Sequence, residues 1–454
     1  MSLYRWFRQQ YLFRVKALRL WFVLLFSLVF SAILVLQTPG VSFAQMNRPE
    51  IRGVWMTIND NVVLSDRPRM QEAIAQLDKL NFNSLYPVVW NSGYATYPSA
   101  VAQAAGSPYL HRGQQGHDIL ADLIAQAHSK GMKVIPWFEF GFMVPSSSEL
   151  ALAHPEWLTQ KRDGGNTSEG ETGEVVWLNP FHPEVQQFIT NLVVEVVTQY
   201  DADGIQFDDH MSLPREFGYD RYTTELYRRE TKRNPPSPQD AAWTKWRADK
   251  LTNYMVQLNR AVKARRPEAI FSVSPNYYDF AYKLHLQDWK AWVNQNIVDE
   301  LIVQVYRRDL RGFTGQINRA EIQEAQQKIP TGIGVLTGLR KDRIPMAQIW
   351  EQVQALRERN LGMVFFYYES LWDMAPERPR DRQDSFLAMF PESVDRPVRP
   401  KPAIVVPTPK PTASPDPSNP PPSTPFPVES IPVLDPSIPP PWYEGSPGSV
   451  VQLK

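Results

Sequence analysis

The chain has 454 residues, room for one large domain of about 250–350 residues with appendages. Lys plus Arg and Asp plus Glu both number 48, so the net charge is zero and no global field draws the protein to nucleic acid. There is no cysteine, which excludes disulfides, thiolate metal sites and a cysteine nucleophile.

The first 44 residues read as a targeting segment. Arg5, Arg8, Arg14, Lys16 and Arg19 form a basic region, and Leu20 to Leu36 is an uncharged, mostly apolar run of 17 residues. Pro39-Gly40 breaks the run, and Ser42-Phe43-Ala44 offers small residues for cleavage after Ala44. The rival reading is an uncleaved anchor, because residues 20–36 are at the short edge of a spanning helix. Both readings place the rest of the chain outside the cytoplasm, in the periplasm or cell envelope.

From Arg52 onward one pattern repeats. Gly53 to Thr57 predicts a first strand, and Met70, Ile74 and Leu77 mark one face of a helix. Asn83–Trp90 is a second strand, His117–Lys130 a helix closed by Gly131, and Lys133–Phe140 a third strand. A loop of about 40 residues follows, long enough to suggest a lid or binding loop. Pro183 opens a helix running to Thr198. The fourth strand, Asp203-Gly204-Ile205-Gln206-Phe207-Asp208, ends in acid, with Asp209 and His210 next. A helical insert is expected from about Glu216 to Arg266, broken near Pro235-Pro236. Strands five to eight fall at Ile270–Tyr278, Glu300–Tyr306, Thr331–Thr337 and Leu361–Glu369, separated by helices near 286–294, 319–328 and 346–359. A last helix, 381–389, has Asp381 as its expected N-cap. Eight alternating units over residues 48–396 predict an α/β fold, a (β/α)8 TIM barrel with a helical insert after strand four. A doubly wound open sheet is the runner-up, but no Gly-rich dinucleotide fingerprint follows the first strand. Residues 397–454 form a Pro-rich tail: 18 of the 41 prolines lie from Pro400 onward, so that stretch is expected to be extended and unable to bury a core.

Chemistry in such a barrel gathers at the carboxyl ends of the strands. Those ends carry Asn59 and Asp60; Trp90 and Asn91; Trp137, Glu139 and Phe140; Asp208, Asp209 and His210; Asn276, Tyr277 and Tyr278; Tyr306 and Arg307; Thr337 and Arg340; and Tyr367, Tyr368 and Glu369, followed by Trp372 and Asp373. Carboxylates among aromatics are what glycoside hydrolysis needs: one carboxyl protonates the leaving oxygen, another attacks or activates water, and ring faces hold sugars. Core packing uses aromatics too, so Trp and Tyr alone discriminate little. Strand alternation puts Gln206 and Asp208 on one face and Phe207 on the other. If Phe207 packs toward the helices, Asp208 points inward and is the central catalytic candidate. Asp209 is then an orienting partner, and Glu139 or Glu369 the second carboxylate. Glu139 could instead be a rim residue paired with Arg162 or Lys161. Trp55, Trp90, Trp137, Gln206, His210, Asn276, Tyr277, Tyr306 and Trp372 are the candidate substrate-binding residues. Asp208, Asp209 and His210 could also hold a divalent cation, but three consecutive residues rarely face one ion, so no metal or other cofactor is expected.

Four stretches resemble the bacterial glycosyl-hydrolase-like family 10: Arg52-Gly53-Val54-Trp55, Trp177-Leu178-Asn179-Pro180 with His182-Pro183-Glu184-Val185, Asp203 to Asp209, and Val364-Phe365-Phe366. The resemblance spans about residues 48 to 390. It implies a (β/α)8 fold and action on glycan strands, in some members peptidoglycan stripped of its peptides. Gln206 stands where the family pattern carries His, His210 where an aromatic is common, and Glu139 where relatives have Asn. The chitinase pattern Asp-Gly-x-Asp-x-Asp-x-Glu fails at Gln206 and His210. The sequence therefore predicts an exported glycoside hydrolase with a glycan partner, the alternative being a catalytically silent glycan-binding protein of the envelope tethered by its tail.

Overall fold

The computed structural model describes residues 48–58, 63–114, 118–170, 173–339 and 341–399. The expected targeting segment, Asn59, Asp60, His117, Arg340 and the expected tail beyond residue 399 lie outside the described residues. No helix among the described residues is long and apolar enough to cross a membrane.

One nine-stranded sheet organises the chain. Its strands are β1 (Arg52–Met56), β2 (Ser84–Pro87), β3 (Lys133–Val134), β4 (Trp137–Phe138), β5 (Gly204–Asp208), β6 (Ile270–Ser274), β7 (Glu300–Gln304), β8 (Thr331–Leu336) and β9 (Gly362–Phe366). The order is β3-β2-β1-β9-β8-β7-β6-β5-β4, every pair parallel. Most strand residues are buried, which is why the strands read as apolar runs with little alternation. The sheet curls so that its two ends, β3 and β4, are separated only by Ile135-Pro136. Ile135 N–H bonds Leu85 O at 2.9 Å, and Gln206 N–H bonds Pro136 O at 2.8 Å, so this one stretch bonds both β2 and β5. Pro136 lacks an N–H, which interrupts the ladder and splits the expected third strand in two.

The helices between strands are amphipathic and bury one face. They are α1 (Arg67–Lys79), α2 (Ile119–Ser129), α3 (Pro183–Gln199), α4 (Arg221–Thr231), α5 (Ala241–Arg265), α6 (Tyr278–His285), α7 (Trp289–Asn294), α8 (Leu310–Ile317), α9 (Ala320–Gln326), α10 (Met346–Arg357) and α11 (Pro379–Met389). Helices α4 and α5 form the insert after β5. Gly131 takes a left-handed φ of 74° just past α2, as a C-terminal glycine should.

Other expectations change as well, among them the fifth strand, which ends at Ser274 so that Tyr278 opens α6. The long loop after Phe140 is folded: Met143–Pro145, Thr167–Gly170 and Gly173–Trp177 make a three-stranded antiparallel sheet, beside a short helix at Glu149–Ala153. Strands of three to five residues are too short to register as a period. Helix α11 begins earlier than expected: Arg378 is its N-cap, Pro379 its first residue, and Asp381 lies in the first turn, ion-paired to Arg378. The eighth strand stops at Phe366, and Tyr368–Leu371 form a 3-10 turn.

The Trp177-Leu178-Asn179-Pro180 motif anchors the insert. Asn179 Nδ2 donates to Asp220 Oδ1 and Thr223 Oγ1, both at 2.9 Å, and Asn179 Oδ1 accepts from Phe181 N–H. Asp220 caps α4 by accepting Thr223 N–H at 2.9 Å and also accepts Thr159 Oγ1 at 2.8 Å.

Candidate active site

The site is built on the end of β5. Helix α3 delivers the chain through its buried Val193, Val196 and Val197, and Gly204 starts the strand against β6. A side chain at Gly204 would meet Ile270 O at 2.2 Å, so only glycine permits this approach. Phe207 packs on Phe138 and Phe271, while Gln206 lies on the opposite, inner face and accepts Trp55 Nε1–H at 2.7 Å. Asp208 shares that inner face by alternation.

Asp208 is 4 % exposed and fully engaged. Its Oδ2 accepts Trp137 Nε1–H at 3.2 Å, and its Oδ1 accepts the His210 backbone N–H at 2.9 Å and lies 3.2 Å from His210 Nδ1. His210 Nδ1 is also 2.9 Å from the Glu139 backbone carbonyl. Both of those partners are acceptors, so Nδ1 carries the hydrogen. The imidazole stacks on Phe140 at 5.8 Å, and Gly141, at φ 46°, fits against His210, where a Cβ would meet its backbone at 2.6 Å.

Glu139 is 9 % exposed, and its Oε2 accepts a hydrogen bond from Asn91 Nδ2. Neither Lys161 nor Arg162 pairs with it: Lys161 lies over Phe217. Burial, then the neighbouring Asp208 carboxylate, push Glu139 up to about 8. Burial also pushes Asp208 up, but the His210 cation opposes it and the result is about 6. Burial alone would lower His210; Asp208 and Asp209 outweigh it and raise the imidazole to about 10. Near neutral pH these directions favour a protonated Glu139, and an ionised Asp208 held by the His210 imidazolium. Two carboxyls whose environments push them apart are how one site supplies an acid and a base together.

Asp209 turns to the other side. Its Oδ2 accepts Asn276 Nδ2–H at 2.8 Å. Gln304 Nε2 donates to Ser274 O at 2.8 Å and reaches within 3.5 Å of Asp209 Oδ1. Gln287, buried between α6 and α7, donates to the carbonyls of Asp208 and Met211 and so fixes the turn after β5. His285 faces Asp209 and His210; burial lowers its pKa against the pull of Asp209. Ligand atoms of Asp208, Asp209 and His210 come within 4.8 Å of one another. The His210 Nδ1–H nevertheless points at a carbonyl and a carboxylate as a donor, which leaves only Nε2 to serve a cation.

The aromatic residues divide. Trp55, Trp137 and Phe366 form a mutually tilted cluster with centroids 6.0–6.4 Å apart, and Tyr306 stacks on Phe366 at 5.4 Å. They form the aromatic floor beneath the carboxylates. Tyr277 is half-buried beside Asn276. Trp90 is elsewhere: it is 1 % exposed, donates Nε1–H to Gly141 O and packs on Phe188 of α3, so it belongs to the core. Gln206 is wholly buried beneath the site, bonded to Trp55 and Ser272, with no surface for a ligand. Glu369 and Trp372 line a separate cavity of about 610 Å³ with Arg69, Glu72 and Gln76 of α1. The 3-10 turn, which replaces the last residues of the expected strand, swings them toward α1. The structure thus brings together Glu139, Asp208, Asp209, His210 and Asn276 but not Glu369.

Asn91 and Gln304 were legible by position. Asn91 follows the second strand, and Gln304 shares a face with Tyr306 two residues on. Gln287 and His285 come from helix ends after β6 and carry no sequence signal.

The family model described as glycosyl hydrolase-like 10 matches residues 50–355. The chain is 28 % identical over 309 residues to glycosyl hydrolase DigH of Escherichia coli O6:H1, covering 59 % of this chain and 68 % of that protein. It is 25 % identical over 320 residues to glycosyl hydrolase YngK of Bacillus subtilis, covering 60 % of this chain and 57 % of that protein. Among solved structures, the glycoside hydrolase domain of PgaB (BpsB) from Bordetella bronchiseptica superimposes with a TM-score of 0.55 at 14 % identity, over 72 % of this chain and 100 % of that one. Alpha-L-fucosidase isoenzyme 2 from Paenibacillus thiaminolyticus gives a TM-score of 0.52 at 16 % identity, over 75 % of this chain and 49 % of that one. At such identities the two structures speak to the fold alone. The match over residues 50–355, most of the nine-stranded sheet included, places the chain plainly: it belongs to the glycosyl hydrolase-like 10 family.

Proposed function

We propose that this protein is an exported (β/α)8-barrel glycoside hydrolase that cleaves glycan strands of peptidoglycan or another extracellular polysaccharide. Barrel closure is supported by the stretch 133–138 bonding both β2 and β5. Export is supported by the basic, apolar and small-residue order of residues 1–44. The observation that carries the activity is the pair of buried carboxyls at the ends of β4 and β5, Glu139 raised to about 8 and Asp208 to about 6.

In this reading Glu139 gives its proton to the leaving glycosidic oxygen. Asp208, ionised and held by His210 and Trp137, is the base: it takes a proton from the water whose oxygen bonds the anomeric carbon as the glycosidic bond breaks. His210 offsets the charges of Asp208 and Asp209, its Nδ1 lying 3.2 Å from one carboxylate and 3.9 Å from the other. Asn91 orients the Glu139 carboxyl, and Asn276 orients Asp209. Tyr306, half-buried on Phe366, supplies flat apolar surface that suits the face of a pyranose ring, while Trp55 and Trp137, 1 % and 3 % exposed, are the buried support beneath the acids.

The test is incubation of the full chain with intact and amidase-stripped peptidoglycan, followed by product analysis. Wild-type protein should release soluble sugars, and Asp208→Asn and Glu139→Gln should each slow release by about 10²–10⁴-fold. Equal release by wild type and both variants would remove the pair from the mechanism. Binding with no release by wild type would make the protein a silent glycan binder instead.

A further inference from the structure

Four arginines stand where β7 ends and α8 and α9 begin: Arg311 is exposed on α8, and two of the others are paired. Arg308 pairs with Asp342 at 2.6 Å, and Arg319 pairs with Asp279. Arg307 is different. It is half-buried, its Nη1 reaches only the carbonyl of Tyr306 at 3.2 Å, and no carboxylate among the described residues pairs with it. Its guanidinium lies 5.7 Å from the centroid of the Tyr277 ring, which also has Arg319 at 5.4 Å and tilts against Phe280.

The position is built, not incidental. The Arg307 carbonyl accepts hydrogen bonds from Gln352 at 2.8 Å and Gln348 at 3.3 Å, both on α10, and Gln352 is itself 1 % exposed. Asn276 and Gln304 pair at the carboxyl ends of β6 and β7 and both reach Asp209; Tyr277 and Arg307 follow them in the chain and so belong to the same rim. Asp209 is already engaged by two amides, Asn276 and Gln304, and by the His210 imidazole 3.9 Å away, and Arg307 is left over. Half-burial weakens screening, and a guanidinium fork matches a planar carboxylate with two parallel hydrogen bonds.

We propose that Arg307, seated on Tyr277, is a subsite for a carboxylate borne by a sugar of the substrate. The proposal rests on the hydrolase reading above and narrows its substrate class to acidic glycans. The shared chemistry is the sugar carboxylate, whether a uronic acid or a lactyl ether on an amino sugar. Tyr277 holds the guanidinium by cation–π contact without taking up its N–H groups, which stay available to the ligand.

The test uses the full chain and two substrate pairs. One pair is lactyl-ether-bearing glycan strands and the same strands with the carboxyls reduced to alcohols. The other is a uronic-acid polysaccharide and its reduced form. Wild type should favour the charged member of one pair by about tenfold in kcat/KM, and which pair shows it identifies the source. Arg307→Gln should bring that ratio close to one. Arg307→Lys, which keeps a charge but loses the fork, should fall between. Equilibrium binding of the same pairs to the Asp208→Asn protein reads the preference without turnover. Release with no preference between charged and reduced strands overturns the subsite and leaves the hydrolase standing. A binding preference that tracks Arg307, with no release by wild type, supports the subsite and overturns the hydrolase.

Discussion

At the residue scale, the feature that matters is a glutamic acid kept neutral by its surroundings. Glu139 has an ordinary value of 4.5 and is raised to about 8, chiefly by burial. A group raised in this way contributes its stability fully below the unfolded value and loses it as pH rises through the folded one. The folded protein should therefore lose stability between about pH 4.5 and pH 8 on account of this one side chain. Glu139→Gln keeps an acceptor for Asn91 and removes the titration. Thermal melting should show the variant more stable than wild type at pH 9 and little changed at pH 4. An equal gain at both values would mean that the side chain is not buried as a carboxyl. Alternation along β5 made Asp208 visible in the sequence, and the end of the third strand made Glu139 visible. The sequence could not show that His210 Nδ1 would span Asp208 and the Glu139 carbonyl, because that contact joins two loops that are far apart in the chain.

At the element scale, the insert after β5 is held by one buried acid. Asp220 accepts hydrogen bonds from Thr159, Asn179 and the Thr223 N–H while capping α4. Asp220→Ala orphans two buried donors and a helix N-terminus together, and should cost about 2–4 kcal/mol in urea unfolding. A loss below about 0.5 kcal/mol would mean that water replaces the carboxylate, as it does at exposed caps. The eight strand positions were legible because buried parallel strands read as apolar runs, and their starts fall within two residues of the expected ones. Strand ends were less legible. The expected eighth strand ran to Glu369, yet the chain leaves the sheet at Phe366, and that early turn carries Glu369 away from Asp208. The small antiparallel sheet after β4 was missed for the same reason of length.

At the scale of the whole molecule, the first and last described stretches, residues 50–52 and 395–399, are sewn together at the amino edge of the sheet. Glu50, 3 % exposed, pairs with Arg52 at 2.7 Å and Arg357 at 2.8 Å, and its N–H bonds Asp395 O. Arg396 reaches Glu300, which is 1 % exposed and also accepts from Tyr86 at 2.9 Å and Ser272 at 2.8 Å. Arg399 pairs with Asp299. Residues 397–399, expected to begin a loose tail, therefore still belong to the fold. Composition could not show this, since Arg396-Pro397 reads like the proline-rich stretch beyond it. Arg396→Met leaves Glu300 buried without a cation, and should cost about 3–5 kcal/mol by denaturant unfolding, most of it recovered by adding Glu300→Gln. A single variant as stable as wild type would show that the strap is dispensable.

The central claim is that Glu139 and Asp208 divide the acid and base roles between them. The pH dependence of kcat/KM on a glycan substrate tests it directly. Wild type should give a bell with limbs near 6, where Asp208 must lose its proton, and near 8, where Glu139 must keep its own. In Glu139→Gln the residual activity should lack the upper limb and keep the lower one. An upper limb that persists unchanged in Glu139→Gln would contradict the assignment.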